Sequence, residues 1–261
     1  MKRPGKKKIF IFRAREKLYD FLIQKWKEIS QEAIKKRGIF TVALSGGETP
    51  VEFYQRLADS KNRLAWDKTH IFLADERFVP FDHPDSNYGT IRANLLENVA
   101  IPEKNIHPVT IDRNVEVSAK RYEEKLKKFF QLREEKLPEF DIIILGIGED
   151  GHTASIFPGD SAPLETSHLS LAVHLDASQH DRVTLTLPVI NRARNIVFLV
   201  LGQNKARIVK KVLEKPRNKL PASMVRPFNG RVFYLLDKSA GSLLLQRETL
   251  SAEVRTESEV S

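Results

Sequence analysis

Cysteine is missing from all 261 residues. Without a thiol there is no disulfide, no cysteine nucleophile and no thiolate-held zinc or iron–sulfur centre. Long apolar runs are missing too, and nothing approaches the ~20 residues of a membrane-crossing helix. The basic start (Lys2, Arg3, Lys6, Lys7, Lys8) runs directly into Ile9-Phe10-Ile11-Phe12, too short a stretch for a secretory signal core. A cytoplasmic protein without membrane contact is expected. The sequence also lacks internal repeats, zinc-finger spacing, a basic zipper and an aromatic ribonucleoprotein signature. Its formal charge of +9 therefore reads as a solvated basic surface or an attraction for small anionic metabolites, with no nucleic-acid partner.

The length suits one large α/β domain that buries its own core. Apolar-rich runs at 8–12, 39–44, 70–74, 141–145, 169–175, 183–187, 196–201 and 231–236 read as strands. Helical patterns fall between several of them, at 14–36, 50–58, 87–98, 115–136 and 205–213. The alternation predicts an α/β fold with a mostly parallel sheet flanked by helices on both faces. The charge-rich segment 115–136 reads as a long amphipathic helix at the surface, its charged face solvated. A single catalytic domain is expected over 1–246. The charged, apolar-poor segment 247–261 is expected to be a frayed tail.

Two glycine turns follow buried strands, and ligands of open α/β sheets sit at such strand ends. In the first, Ser45-Gly46-Gly47-Glu48-Thr49-Pro50, Thr49 reads as an N-cap, Pro50 takes the first helical position and Glu52 closes a capping box. Free amides at a helix start favour phosphate. Ser45 also sits in a loose likeness to a hydrolase nucleophile elbow. The capping signals start the helix too late for that role. In the second turn, Gly146, Gly148 and Gly151 spell the dinucleotide fingerprint. Pro158 would break the crossover helix that such a fingerprint needs, so no nicotinamide cofactor is expected. Asp150 and His152 in this turn suit proton transfer instead. Imidazole titrates near neutral pH, and a neighbouring carboxylate can fix its tautomer. Together the turns predict a pocket that holds a phosphate at one end and moves a proton at the other.

Asp75-Glu76-Arg77 ends another strand, either as a surface ion pair or with Arg77 supplying positive charge to the same pocket. Ser86 reads as a helix cap. His168, His174 and His180 recur at even spacing. An extended segment would hold them too far apart for one ion, and a helix would not align them, so no metal site is expected. His70, His83 and His107 have no partners legible in the sequence.

These segments resemble the signatures of the 6-phosphogluconolactonase family. The resemblance rests on Ser45 to Pro50, on Asp75-Glu76-Arg77-Phe78-Val79-Pro80 with Ser86-Asn87, and above all on Gly146-Ile147-Gly148-Glu149-Asp150-Gly151-His152-Thr153-Ala154-Ser155 and the residues up to Gly159. It covers about residues 8 to 240 and extends to Arg182-Val183-Thr184, Gly202-Gln203-Asn204-Lys205 and Pro221-Ala222-Ser223. It implies the fold shared with glucosamine-6-phosphate deaminase and ribose-5-phosphate isomerase. It also implies hydrolysis of a six-carbon phosphorylated lactone in the oxidative pentose phosphate pathway, without metal or organic cofactor. His152 would be the general base, with Asp75, Arg77 and Asp150 beside it. Ser45, the amides of Gly46 and Gly47, Thr49, Arg182 and Lys205 would hold the phosphate. The expected partner is the small sugar lactone alone, bound by a monomer or weak homodimer. Two alternatives remain. A deaminase of this superfamily would carry a glutamate after its Gly-His segment, where this chain has Thr153 to Pro158. A sugar-phosphate sensor would carry a DNA-binding domain ahead of the first strand and would not need His152.

Overall fold

The computed structural model describes residues 7–59, 64–133, 136–159, 167–176, 179–214, 219–244 and 253–256. The first six residues of the basic start lie outside the described set. Eight strands form one sheet in which every neighbouring pair is parallel. In chain order they are β1 (Lys7–Phe12), β2 (Phe40–Leu44), β3 (Thr69–Leu73), β5 (Ile106–His107), β6 (Ile142–Leu145), β9 (Asn195–Val200), β10 (Arg231–Asp237) and β11 (Glu253–Thr256). The central strands β2, β6 and β9 are buried along their whole length. That is why they read as unbroken apolar runs and why the sheet needs cover on both faces.

The order across the sheet is β11-β1-β10-β9-β6-β2-β3-β5. After β2 the chain moves outward through β3 and β5. It then returns to set β6 on the other side of β2, with β9, β10 and β1 beyond. The strand order therefore reverses between β2 and β6, where Val42 faces Ile142 and Ala43 faces Ile143. A crevice opens at such a reversal, outside the carboxyl ends of the strands. The two glycine turns leave from these two ends.

The first crossover is α1 (Arg15–Arg37), whose buried stripe includes Leu18, Leu22, Trp26, Ile29 and Ala33. Trp26 packs edge-on to Phe40 at 5.1 Å and against Trp66 at 6.2 Å. Next comes α2 (Val51–Asp59), which starts on backbone hydrogen bonds from Val51 to Glu48 and from Tyr54 to Pro50. The expected capping box is replaced: the Glu52 carboxylate turns to Arg56, one helical turn on, at 2.9 Å. The cap of α3 (Asn87–Asn94) is as expected, with Ser86 Oγ accepting from Gly89 N–H at 3.0 Å. The helix expected over 115–136 is α4 (Val115–Phe129), shorter than expected, with its apolar face, Ala119, Tyr122 and Leu126, buried. Three further helices complete the cover: α5 (Leu187–Arg192), α6 (Ala206–Glu214) and α7 (Pro221–Met224).

Two runs expected among the strands do not join the parallel sheet. β7 (Ser170–Val173) and β8 (Arg182–Leu185) pair antiparallel, and β4 (Asp75–Arg77) adds to β8 on the other side. This small sheet is stitched to the large one by Ala74 N–H to Leu44 O and Leu185 N–H to Ala74 O, both 2.8 Å. Within the segment expected to fray, β11 pairs with β1; the rest of 245–261 lies outside the described residues. No helix among the described residues is long and apolar enough to cross a membrane.

Candidate active site

The crevice at the reversal holds a cavity of about 270 Å³, near the ~300 Å³ at which small-molecule pockets begin. Its walls include Ser45, Gly46, Gly47 and Thr49 from the first turn, and Gly146, Gly148 and His152 from the second. Asp75, Arg77, Asn87, Glu149 and Lys205 complete the polar lining. The structure thus brings the anion cradle and the imidazole into one space.

The second turn is closed on itself. Gly151 N–H donates to Gly148 O and Gly148 N–H to His152 O, both at 2.9 Å. Asp150 Oδ1 accepts from the His152 backbone N–H at 3.0 Å and sits 2.7 Å from His152 Nδ1. A carboxylate only accepts, so Nδ1 carries the proton and the neutral ring keeps its lone pair at Nε2. The ring leans on Phe157, with centroids 4.7 Å apart, and its side chain remains 34% exposed, so a ligand can reach it. Gly148 lies so close beneath that a Cβ there would fall 2.1 Å from His152 Nδ1. Just beyond, Ala154 holds a left-handed φ of 48° in the cavity wall. A side chain adopts that conformation at a cost.

Ser45 lines the cavity and also ties the sheet together. Its hydroxyl donates to Ile144 O at 3.0 Å and its carbonyl accepts from Tyr54. The hydroxyl proton thereby links the end of β2 to β6. Gly46 is a true close approach, because a Cβ there would meet Asn87 Oδ1 at 2.0 Å.

Asp75 and Glu76 are buried, so the reading of a surface ion pair is corrected. Asp75 Oδ2 accepts from Ser155 Oγ at 2.7 Å. Glu76 is fully buried and gathers the N–H groups of Arg77 (2.7 Å), Asn87 (2.7 Å) and Tyr88 (2.8 Å). Burial still dominates and pushes its carboxyl up to about 7. Asn87 donates Nδ2 to Asp75 O at 2.9 Å, which fixes its amide; Oδ1 is buried with no hydrogen-bond partner among the described residues. Arg77 extends Nη1 to Asp85 O at 2.6 Å.

Antiparallel pairing sets Arg182 directly opposite Arg77. Burial, and then the charge of Arg77, lower the pKa of Arg182 from its ordinary value. Its Nε is buried and unpartnered among the described residues. Two guanidinium groups side by side favour an anion, although Arg77 lines the cavity and Arg182 does not. Lys205 does line the cavity. Its loop is anchored by the Asp237 carboxylate, which accepts from Gly202 N–H at 3.1 Å, and by Asn204 Nδ2 donating to Glu149 at 2.7 Å. Sequence reasoning missed Glu76, Asn87 and Asp237 as site supports. Only the nearness of Glu76 and Asn87 to Arg77 and Ser86 hinted at the first two, and nothing marked Asp237.

The family model for glucosamine-6-phosphate isomerases/6-phosphogluconolactonase matches residues 13–234. A 6-phosphogluconolactonase of Synechocystis is 43% identical over 216 residues, covering 82% of this chain and 88% of that relative. The solved 6-phosphogluconolactonase from Trypanosoma cruzi superposes with a TM-score of 0.82 at 29% identity, covering 93% of this chain and 98% of that one. A monomeric glucosamine-6-phosphate deaminase superposes at 0.77 over 90% of this chain and 99% of its own, but at 21% identity it speaks for the shared fold alone. Matched along most of its length in sequence and in fold, the chain belongs to the glucosamine-6-phosphate isomerase/6-phosphogluconolactonase family.

Proposed function

We propose that this chain hydrolyses 6-phosphogluconolactone to 6-phosphogluconate, with His152 as general base. The observation that carries the reading is His152, paired with Asp150 at 2.7 Å and lining the cavity that also holds residues Ser45, Gly46, Gly47 and Thr49 of the first turn. The names of the relatives supply the substrate, and the residues supply the chemistry. His152 Nε2 takes a proton from water as the water oxygen bonds to the lactone carbonyl carbon. The tetrahedral oxyanion then collapses, the ring C–O bond breaks, and the imidazolium returns its proton to the departing alkoxide. Asp150 orients the ring and stabilises it while charged. Arg77 brings positive charge to the same cavity.

The amides of Gly46 and Gly47, the Thr49 hydroxyl and Lys205 hold the substrate phosphate, with Arg182, opposite Arg77, adding positive charge nearby. Asn87 Oδ1, buried and open to a donor, accepts a sugar hydroxyl. The phosphate and the lactone carbonyl are then held in one cavity.

The test is proton release from freshly generated 6-phosphogluconolactone, run beside ammonia release from glucosamine 6-phosphate. Acid without ammonia supports the lactonase. Ammonia would favour the deaminase, and silence in both assays would revive a non-catalytic sensor. Lys205→Ala should raise KM by roughly 10- to 100-fold, the worth of one charge-assisted hydrogen bond. Equal use of unphosphorylated gluconolactone by the wild type would refute the phosphate clamp.

A further inference from the structure

Outside the cavity walls, His83, Asp85 and His180 converge, each offering one ligand atom, and these atoms all lie within 4.8 Å of one another. Nε2 of His180 is 3.1 Å from Asp85 Oδ2, and His83 Nδ1 is 3.9 Å from that same oxygen. The two imidazoles stand edge to face with centroids 5.0 Å apart. The backbone brings about this meeting of residues far apart in sequence. The β4–β8 register sets Arg77 against Arg182, and Phe78 N–H donates to Asp181 O at 2.8 Å. The turn that follows β4 therefore lies against the loop that precedes β8. Within the turn, Asp85 N–H donates to His83 Nδ1 at 3.1 Å, and His83 N–H donates to Pro80 O at 3.0 Å.

We propose that His83, Asp85 and His180 bind one borderline divalent transition-metal ion, of the zinc, cobalt or nickel kind. Two imidazoles and a carboxylate suit such ions, whereas calcium and magnesium take oxygen shells. Ligands held at ~2.0–2.2 Å in a tetrahedron lie roughly 3.4 Å from one another. The 3.1 and 3.9 Å separations straddle that spacing. The side chains are 36%, 55% and 42% exposed in chain order, so an ion has a path in, and three protein ligands leave a fourth position for water or an anion. Coordination through His83 Nδ1 replaces its hydrogen bond from the Asp85 amide. The bound ion takes no part in proton transfer at His152. It clamps the turn after β4 to the loop before β8, and with that turn the Asp85 carbonyl that holds Arg77.

The test uses chelator-treated full-length protein near neutral pH. Cobalt(II) binding is followed by its ligand-field absorption and by equilibrium dialysis, with zinc as competitor. One cobalt per chain, displaced by zinc, is expected. His83→Ala and His180→Ala should each weaken binding at least about tenfold, since one ligand of three is lost. Zinc should raise the Tm of the wild type and not of these variants. His152→Ala and His174→Ala should bind as the wild type does. Matching apo melting curves establish that the variants are folded, and Asp85→Asn offers a third, isosteric probe. The proposal falls if the wild type shows no saturable binding, if binding survives in both His83→Ala and His180→Ala, or if it vanishes in His152→Ala. The readout is metal affinity, so it stands or falls apart from the lactonase assay.

Discussion

A neutral imidazole has one lone pair to give, and at His152 the Asp150 carboxylate decides which nitrogen keeps it. Replacing His152 with Ala should cut kcat by about 10²–10⁴-fold, the usual worth of a general base, with KM nearly unchanged. An undiminished rate over the spontaneous reaction would remove His152 from the mechanism. Asp150→Ala should cost less than that, again in kcat, because the ring remains and only its tautomer is released. Gly148→Ala is a sharper probe. Its methyl group would fall 2.1 Å from His152 Nδ1, so the ring must swing away, and kcat should drop towards the His152→Ala level. Steady-state proton release checks all three, and an unaffected Gly148→Ala enzyme would show that the position of the ring is not critical.

The amino end of α3 is organised around an acid that nothing in the sequence marks as buried. Glu76 collects three backbone N–H groups and the Ser86 hydroxyl, and in doing so sets Arg77 and Asn87. Its carboxyl is pushed from an ordinary 4.5 up to about 7 by burial. The native protein therefore holds a proton that the unfolded chain has already released between those two values. That contribution to stability is complete below pH 4.5, declines as pH rises through the window, and is gone above about 7. Glu76→Gln should abolish this decline, shifting the stability difference from the wild type by on the order of 1–3 kcal/mol across the window. Denaturant unfolding of both proteins from acid to neutral pH checks it, and parallel curves would contradict it. The same element marks the limit of the sequence. Ser86 was legible as a cap because its hydroxyl satisfies a local amide. Glu76 was not, because its burial depends on β8, which pairs with β4 across more than a hundred residues. His83 and His180 meet through that same long-range register.

Across the whole molecule, the reversal of strand order between β2 and β6 turns two local glycine turns into one site. Both turns were readable because buried parallel strands are continuous apolar runs, and the residues after them stand at the sheet's carboxyl edge. One shared pocket was expected from the chemistry of the two turns, but the strand order that makes their edges adjoin was not readable, since it depends on β6 returning past β3 and β5. Nor was the small antiparallel sheet, whose short strands look like any others until paired. The hydrogen bond from the Ser45 hydroxyl likewise depends on β6 lying alongside. The central claim is that one sugar phosphate spans from the Gly46–Gly47 amides to the imidazole of His152. A crystal structure with 6-phosphogluconate bound tests it most directly. The account predicts the phosphate oxygens within hydrogen-bond reach of those amides and of Lys205, with the product carboxylate beside His152 Nε2. A product bound with its phosphate against His152, or lying outside this crevice, would contradict it.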